Sequence, residues 1–101
     1  MELSFTVVSV DGALIHLLAE RWSYTNACCE DVLATIERPD YVLRGPRRSQ
    51  IAVREMSGGR YLQVRYRRPS PREGFVISAA ITSSLDETAL IWRARRLGPG
   101  D

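Results

Sequence analysis

His16 is the one histidine among 101 residues, so it is the one imidazole available as a proton shuttle. In a helical reading of residues 13–22 it falls about 160 to 180° from the Leu14/Leu18 side, off the apolar stripe. Glu20, one turn on, would hold the ring. Arg21 borders the stripe near Leu17. All 14 basic residues are arginine and none is lysine. Each is a planar fork that suits bidentate contacts to phosphate or carboxylate. They cluster at Arg47-Arg48, at Arg65/Arg67-Arg68 and at Arg93/Arg95-Arg96. Thr82, Ser83 and Ser84 end one strand just before an expected helix, where hydroxyls and free N–H groups make an anion site. Trp22 and Trp92 read as packing residues, or as stacking platforms for a base if exposed. Cys28 and Cys29 are adjacent, read as reduced thiols on a helix packing surface. With one histidine, no zinc ligand set has a suitable spacing. No cofactor and no metal are expected, and the common phosphate-loop, dinucleotide, zinc-protease and nucleophile-elbow patterns are absent.

These residues must be positioned by one domain, residues 1–101. Apolar residues make up 45% and charged residues 26%, a globular balance with a net charge of +2. No apolar run approaches the ~18 residues that span a bilayer, and no signal-peptide pattern opens the chain, so the expected location is cytoplasmic.

Residues 3–10 are rich in β-branched and aromatic types and read as a strand. Leu14, Leu17 and Leu18 follow helical spacing from Ala13 to Trp22. A second amphipathic helix carries Cys29, Val32, Leu33 and Ile36 and stops at Pro39. Short alternating segments then follow at 41–44, 50–56 and 60–67, with Ser57-Gly58-Gly59 as a hairpin turn. Residues 75–82 are apolar on both faces, as in a central strand. A short amphipathic helix is expected from Ser84 or Asp86 to Arg96. The fold class is therefore α+β: N-terminal helices packed on one face of a four- to five-stranded antiparallel sheet, with a short C-terminal helix. Leu62, Val64 and Tyr66 face the helices. Arg65 and Arg67 lie on the wet face, with Arg54 expected beside them.

The segment His16-Leu17-Leu18-Ala19-Glu20-Arg21, the helix end Thr35-Ile36-Glu37-Arg38-Pro39-Asp40-Tyr41-Val42 and the segment Arg72-Glu73-Gly74-Phe75-Val76-Ile77-Ser78-Ala79-Ala80-Ile81-Thr82 together resemble the barnase/EndoU/colicin/RelE-like (BECR-fold) small nucleases, in their phage- and toxin-associated branch. The resemblance spans residues 5–84. It implies a metal-independent ribonuclease, a toxin of a toxin–antitoxin or phage system, that cleaves RNA through attack of the 2′-OH on the adjacent phosphate. His16 would match the helical histidine, Arg21 the basic residue after it, Arg54 a basic strand position and Thr82 or Ser83 the hydroxyl position. Arg65, Arg67, Arg47 and Arg48 would hold RNA. RNA is the expected partner, with an acidic antitoxin or immunity protein as a second. The alternatives are a catalytically silent RNA- or protein-binding module and a small phage accessory protein.

Overall fold

The computed structural model describes residues 4–18 and 29–94. The chain forms β1 (Ser4–Val8), β2 (Leu14–Leu18), α1 (Cys29–Glu37), β3 (Tyr41–Arg44), β4 (Ser49–Met56), β5 (Arg60–Arg67) and β6 (Glu73–Thr82), then one 3-10 turn (Glu87–Ala89) and β7 (Leu90–Arg93). The strands among the described residues join one seven-stranded sheet in the order β1-β2-β6-β5-β4-β3-β7. Every neighbouring pair is antiparallel except β2 and β6, which run parallel with His16 opposite Phe75.

This overturns the expected class. The sheet is mixed and has seven strands rather than four or five, and one α-helix lies among the described residues. The first expected helix is instead the second arm of a hairpin. The Gly12 amide donates to Ser9 O at 3.0 Å, Gly12 has φ +90°, and the Ser9 amide donates to Ala13 O at 2.8 Å. That is a three-residue hairpin loop with glycine in the left-handed position. Beyond it Ala13, Ile15 and Leu17 are buried, while Leu14 is 44% exposed: period two, not 3.6. The expected C-terminal helix is also replaced. Asp86 does cap a helical turn, its Oδ1 accepting from the Thr88 amide at 3.1 Å. The turn lasts three residues, and Leu-Ile-Trp-Arg then pairs with β3 as an edge strand. N-terminal helices packed on a four- to five-stranded antiparallel sheet with a C-terminal helix are thus not what the chain forms.

The second helical expectation is met by α1. Val32 and Ile36 are buried, Leu33 packs beside them and Pro39 follows the last turn. Each buried aliphatic side chain stabilises the packing by about 1.5–3 kcal/mol. Across the interface lie Ile15 and Leu17 of β2, Leu62, Val64 and Tyr66 of β5, Ala52 of β4 and Val76 of β6. At the β3 end both sheet faces are covered. Val42 and Ala52 face the helix side, Leu43 and Val53 are buried on the other, and the 3-10 turn lies against β3. Over β1, β2, β6 and β5 the face away from α1 stays open. No helix among the described residues is long and apolar enough to cross a membrane.

Candidate nucleic-acid interface

Alternation places His16 on the open face, because its neighbours Ile15 and Leu17 are buried on the other. The cross-strand register then builds a row. Thr6 of β1 lies opposite His16, His16 opposite Phe75 of β6, and Phe75 opposite Arg67 of β5. The imidazole Nδ1 lies 3.2 Å from Thr6 Oγ1, and Nε2 lies 3.3 Å from Glu73 Oε2. A carboxylate accepts only, so Nε2 carries the proton and Nδ1 accepts from the threonine hydroxyl when the ring is neutral. The order is hydroxyl, imidazole, carboxylate, in which Glu73 stabilises the imidazolium that forms when His16 takes a proton. The His16 and Phe75 rings are 5.4 Å apart and tilted by 32°, and Phe75 is 43% exposed.

Arg67 stands two strands from His16, about 10 Å between backbones, within reach of an extended guanidinium. Arg65 lies two residues along β5 on the same face, opposite Ser78. Both arginines are exposed. Strand alternation alone carries both of them to this face.

The other expected site residues go elsewhere. Arg54 lies opposite Leu62, on the helix side of the sheet, and lines a separate cleft of about 470 Å³ with Glu37, Arg38 and Asp40. It is not beside Arg65 and Arg67, because the β4–β5 register places Ile51 and Val53 on their face instead. Thr82 is seven residues beyond Phe75 along β6, about 23 Å of extended strand from the His16 row. Its hydroxyl accepts from Gln63 Nε2 at 2.6 Å and donates to Ser84 O at 3.0 Å. Exposed Ser83 follows it at the same distant end. Neither reaches a phosphate held at His16. Arg21, together with Glu20 and Trp22, lies outside the described residues. Arg47 and Arg48 occupy the β3–β4 turn, just beyond Ser49, which is the β4 partner of Arg67.

Glu73, Thr6 and Phe75 are the side chains of this candidate site that sequence reasoning did not single out. Thr6 and Phe75 were legible as strand residues, and a hairpin reading of Asp11-Gly12 would have put Thr6 opposite His16. Glu73 arrives through the parallel β2–β6 pairing, for which the sequence holds no local signal.

A polar brace lies at the border of this row. Arg68 pairs with Asp11, donates to Pro71 O at 2.6 Å and to Gln50 Oε1 at 3.3 Å, and Gln50 also accepts from the Tyr66 hydroxyl at 2.9 Å. Burial pushes the Asp11 carboxyl up, but hydrogen bonds from Ser9 and Arg68 and the Arg68 charge outweigh it and hold it below the usual carboxylate value. Burial, aided by the Asp11 charge and opposed by Arg68, pushes the Tyr66 phenol up to about 12. Among the described residues, no group of three or more His, Cys, Asp or Glu side chains could hold a metal ion.

No protein-family model matches this chain, and no curated protein or solved structure matches it either.

Proposed function

We propose that the protein binds single-stranded RNA across the open face of the sheet and cleaves it with His16 as general base. The observation that carries this reading is the Thr6–His16–Glu73 relay, set beside an exposed aromatic ring and two exposed arginines on one face. A base stacks on Phe75, and Arg67 and Arg65 meet the flanking phosphates. The Thr6 hydroxyl marks the place of the substrate 2′-OH, which displaces it at Nδ1. As the 2′-oxygen attacks, its proton passes to Nδ1, the 2′-O–P bond forms and the 5′-O–P bond breaks. Glu73 stabilises the imidazolium, and Arg67 the charge that grows on phosphorus. The departing 5′-oxygen takes a proton from water, and the imidazolium returns its own. In this scheme His16 supplies the base, Arg67 the charge stabilisation and water the proton for the leaving group.

A second reading, binding without turnover, is favoured by one feature of the same site. His16 and Glu73 are bonded to each other, so neither stands apart as an acid on the far side of the phosphate. One experiment separates the two. A labelled single-stranded oligoribonucleotide is incubated with wild type and with His16→Ala, with EDTA present. Cleavage leaving a 2′,3′-cyclic or 3′-phosphate end, lost in the variant, supports catalysis. Binding without cleavage supports the silent module. Absence of binding sinks both.

A further inference from the structure

Four arginines meet at the β3–β4 turn, beyond the Arg67 end of the His16 row. Arg44, Arg47, Arg48 and Arg68 line an open cleft of about 730 Å³. No acidic side chain among the described residues lines it. Among the described residues Arg68 alone of the four has an ion-pair partner, Asp11. Arg44, Arg47 and Arg48 thus bring three positive charges without an ion-pair partner among the described residues into one small region.

The backbone that gathers them is unusual. The Ser49 amide donates to Pro46 O at 3.1 Å, closing a four-residue turn whose central residues are Arg47 and Arg48. Their φ angles are +52° and +62°. Positive φ at both centres is the pattern of a type I′ hairpin turn, where Asn-Gly is the favoured pair. Two long side chains rarely adopt it. The turn is held from outside as well: the Arg68 amide donates to Arg48 O at 3.1 Å. Deeper in the lining, Arg68 Nε is buried with no hydrogen-bond partner. That is an unmet donor in a site already rich in donors.

We propose that this cleft binds a nucleotide, with its phosphate groups on Arg44, Arg47 and Arg48. A cluster of guanidinium forks fits a multi-oxygen anion, since each fork donates two parallel hydrogen bonds. The volume is far larger than one inorganic phosphate needs and falls in the range of small-molecule sites. Pro69, Pro71 and Ile91 give one side of the lining an apolar surface, which suits a base or sugar and not a bare anion. The nucleotide is either free or the 5′-phosphorylated end of an RNA chain. The proposal stands whether or not the open face binds RNA, because it uses none of that face's residues.

The test is titration calorimetry of the full chain with ADP, with inorganic phosphate, and with a short single-stranded RNA carrying either a 5′-phosphate or a 5′-hydroxyl. Saturable binding of ADP, tighter than that of inorganic phosphate, is expected if the source is free nucleotide. Tighter binding of the 5′-phosphorylated RNA than of its 5′-hydroxyl form is expected if the source is an RNA end. The decisive variant is Arg47→Asn with Arg48→Gly, which keeps the turn geometry and removes both charges. It is expected to melt no lower than wild type and to bind the preferred ligand at least about tenfold more weakly. Arg44→Gln, an exposed strand substitution, is expected to weaken binding in the same direction and serves if the double variant does not fold. A Phe75→Ala variant keeps full ADP affinity. Undiminished binding in both arginine variants, or no saturable binding of ADP or of the 5′-phosphorylated RNA by wild type, overturns the proposal.

Discussion

In the proposed reaction the carboxylate of Glu73 acts only after His16 has accepted a proton, because a neutral ring gains little from a nearby negative charge. Replacing it with glutamine keeps an acceptor for Nε2–H and removes the charge. Glu73→Gln should therefore lower kcat by about 100-fold while leaving KM close to that of wild type. A purely structural Glu73 would instead lower stability and leave kcat in the surviving folded protein unchanged. The polar brace offers a residue-level test that does not depend on catalysis. Tyr66 is buried and its phenol is raised to about 12 in the folded state, against an ordinary value near 10. The unfolded chain releases that proton first as pH rises. The stability linked to neutral Tyr66 is thus fully present below pH ~10 and is lost progressively up to pH ~12. Chemical denaturation at pH 8 and at pH 11 should show this loss in wild type. Tyr66→Phe should lose stability at pH 8, where its hydroxyl bond to Gln50 is missing, and should lose less than wild type between the two pH values. An equal alkaline loss in both proteins would remove Tyr66 as its source.

At the scale of elements, the site depends on how β6 is inserted between β2 and β5. Gly74 sits at that junction, opposite Ile15. A Cβ there would lie 2.6 Å from Arg67 O and 3.0 Å from Ile15 Cδ1. Backbone cannot yield as a side chain can, so Gly74→Ala should destabilise the fold by about 1–3 kcal/mol. It should also separate Glu73 from His16. Urea denaturation measures the first effect and loss of cleavage the second; an unchanged midpoint would mean that the β2–β6 pairing is looser than drawn. The same junction explains what could be read from the chain. The β5 strand was plain, because Leu62, Val64 and Tyr66 alternate strictly with Gln63, Arg65 and Arg67. So was α1, with its apolar stripe and terminal proline. Residues 13–18 were ambiguous: Leu14, Leu17 and Leu18 satisfy helical spacing, while Ala13, Ile15 and Leu17 satisfy period two. Only the Asp11-Gly12 hairpin decides between them. Arg54 shared its strand face with Ala52 in the alternation, but which face met α1 was set by register. The contact of Glu73 with His16, 57 residues apart, has no local trace at all.

Across the whole molecule, a net charge of +2 hides an uneven distribution. Arg65 and Arg67 lie on the open face, and Arg44, Arg47 and Arg48 gather at the neighbouring turn, whereas in the cleft on the helix side Glu37 and Asp40 offset Arg38 and Arg54. A surface of this kind attracts a polyanion before any specific contact forms, and the attraction is screened by salt. Single-stranded RNA bound at the open face should release about 0.7 counterions per neutralised phosphate, so the logarithm of affinity falls linearly with the logarithm of salt concentration. Replacing Arg65 and Arg67 together with alanine should make that slope shallower by about 1.4, the sum of two contacts. Arg54→Ala, on the opposite face, should leave it unchanged. Phe75→Ala removes stacking and no charge, so it should weaken binding by about the same factor at every salt concentration. Fluorescence anisotropy with one labelled oligoribonucleotide over a salt series measures all four proteins in the same way. A slope that responds to Arg54 and not to Arg65 and Arg67 would place the RNA on the helix side of the sheet and reject the open face as its binding surface.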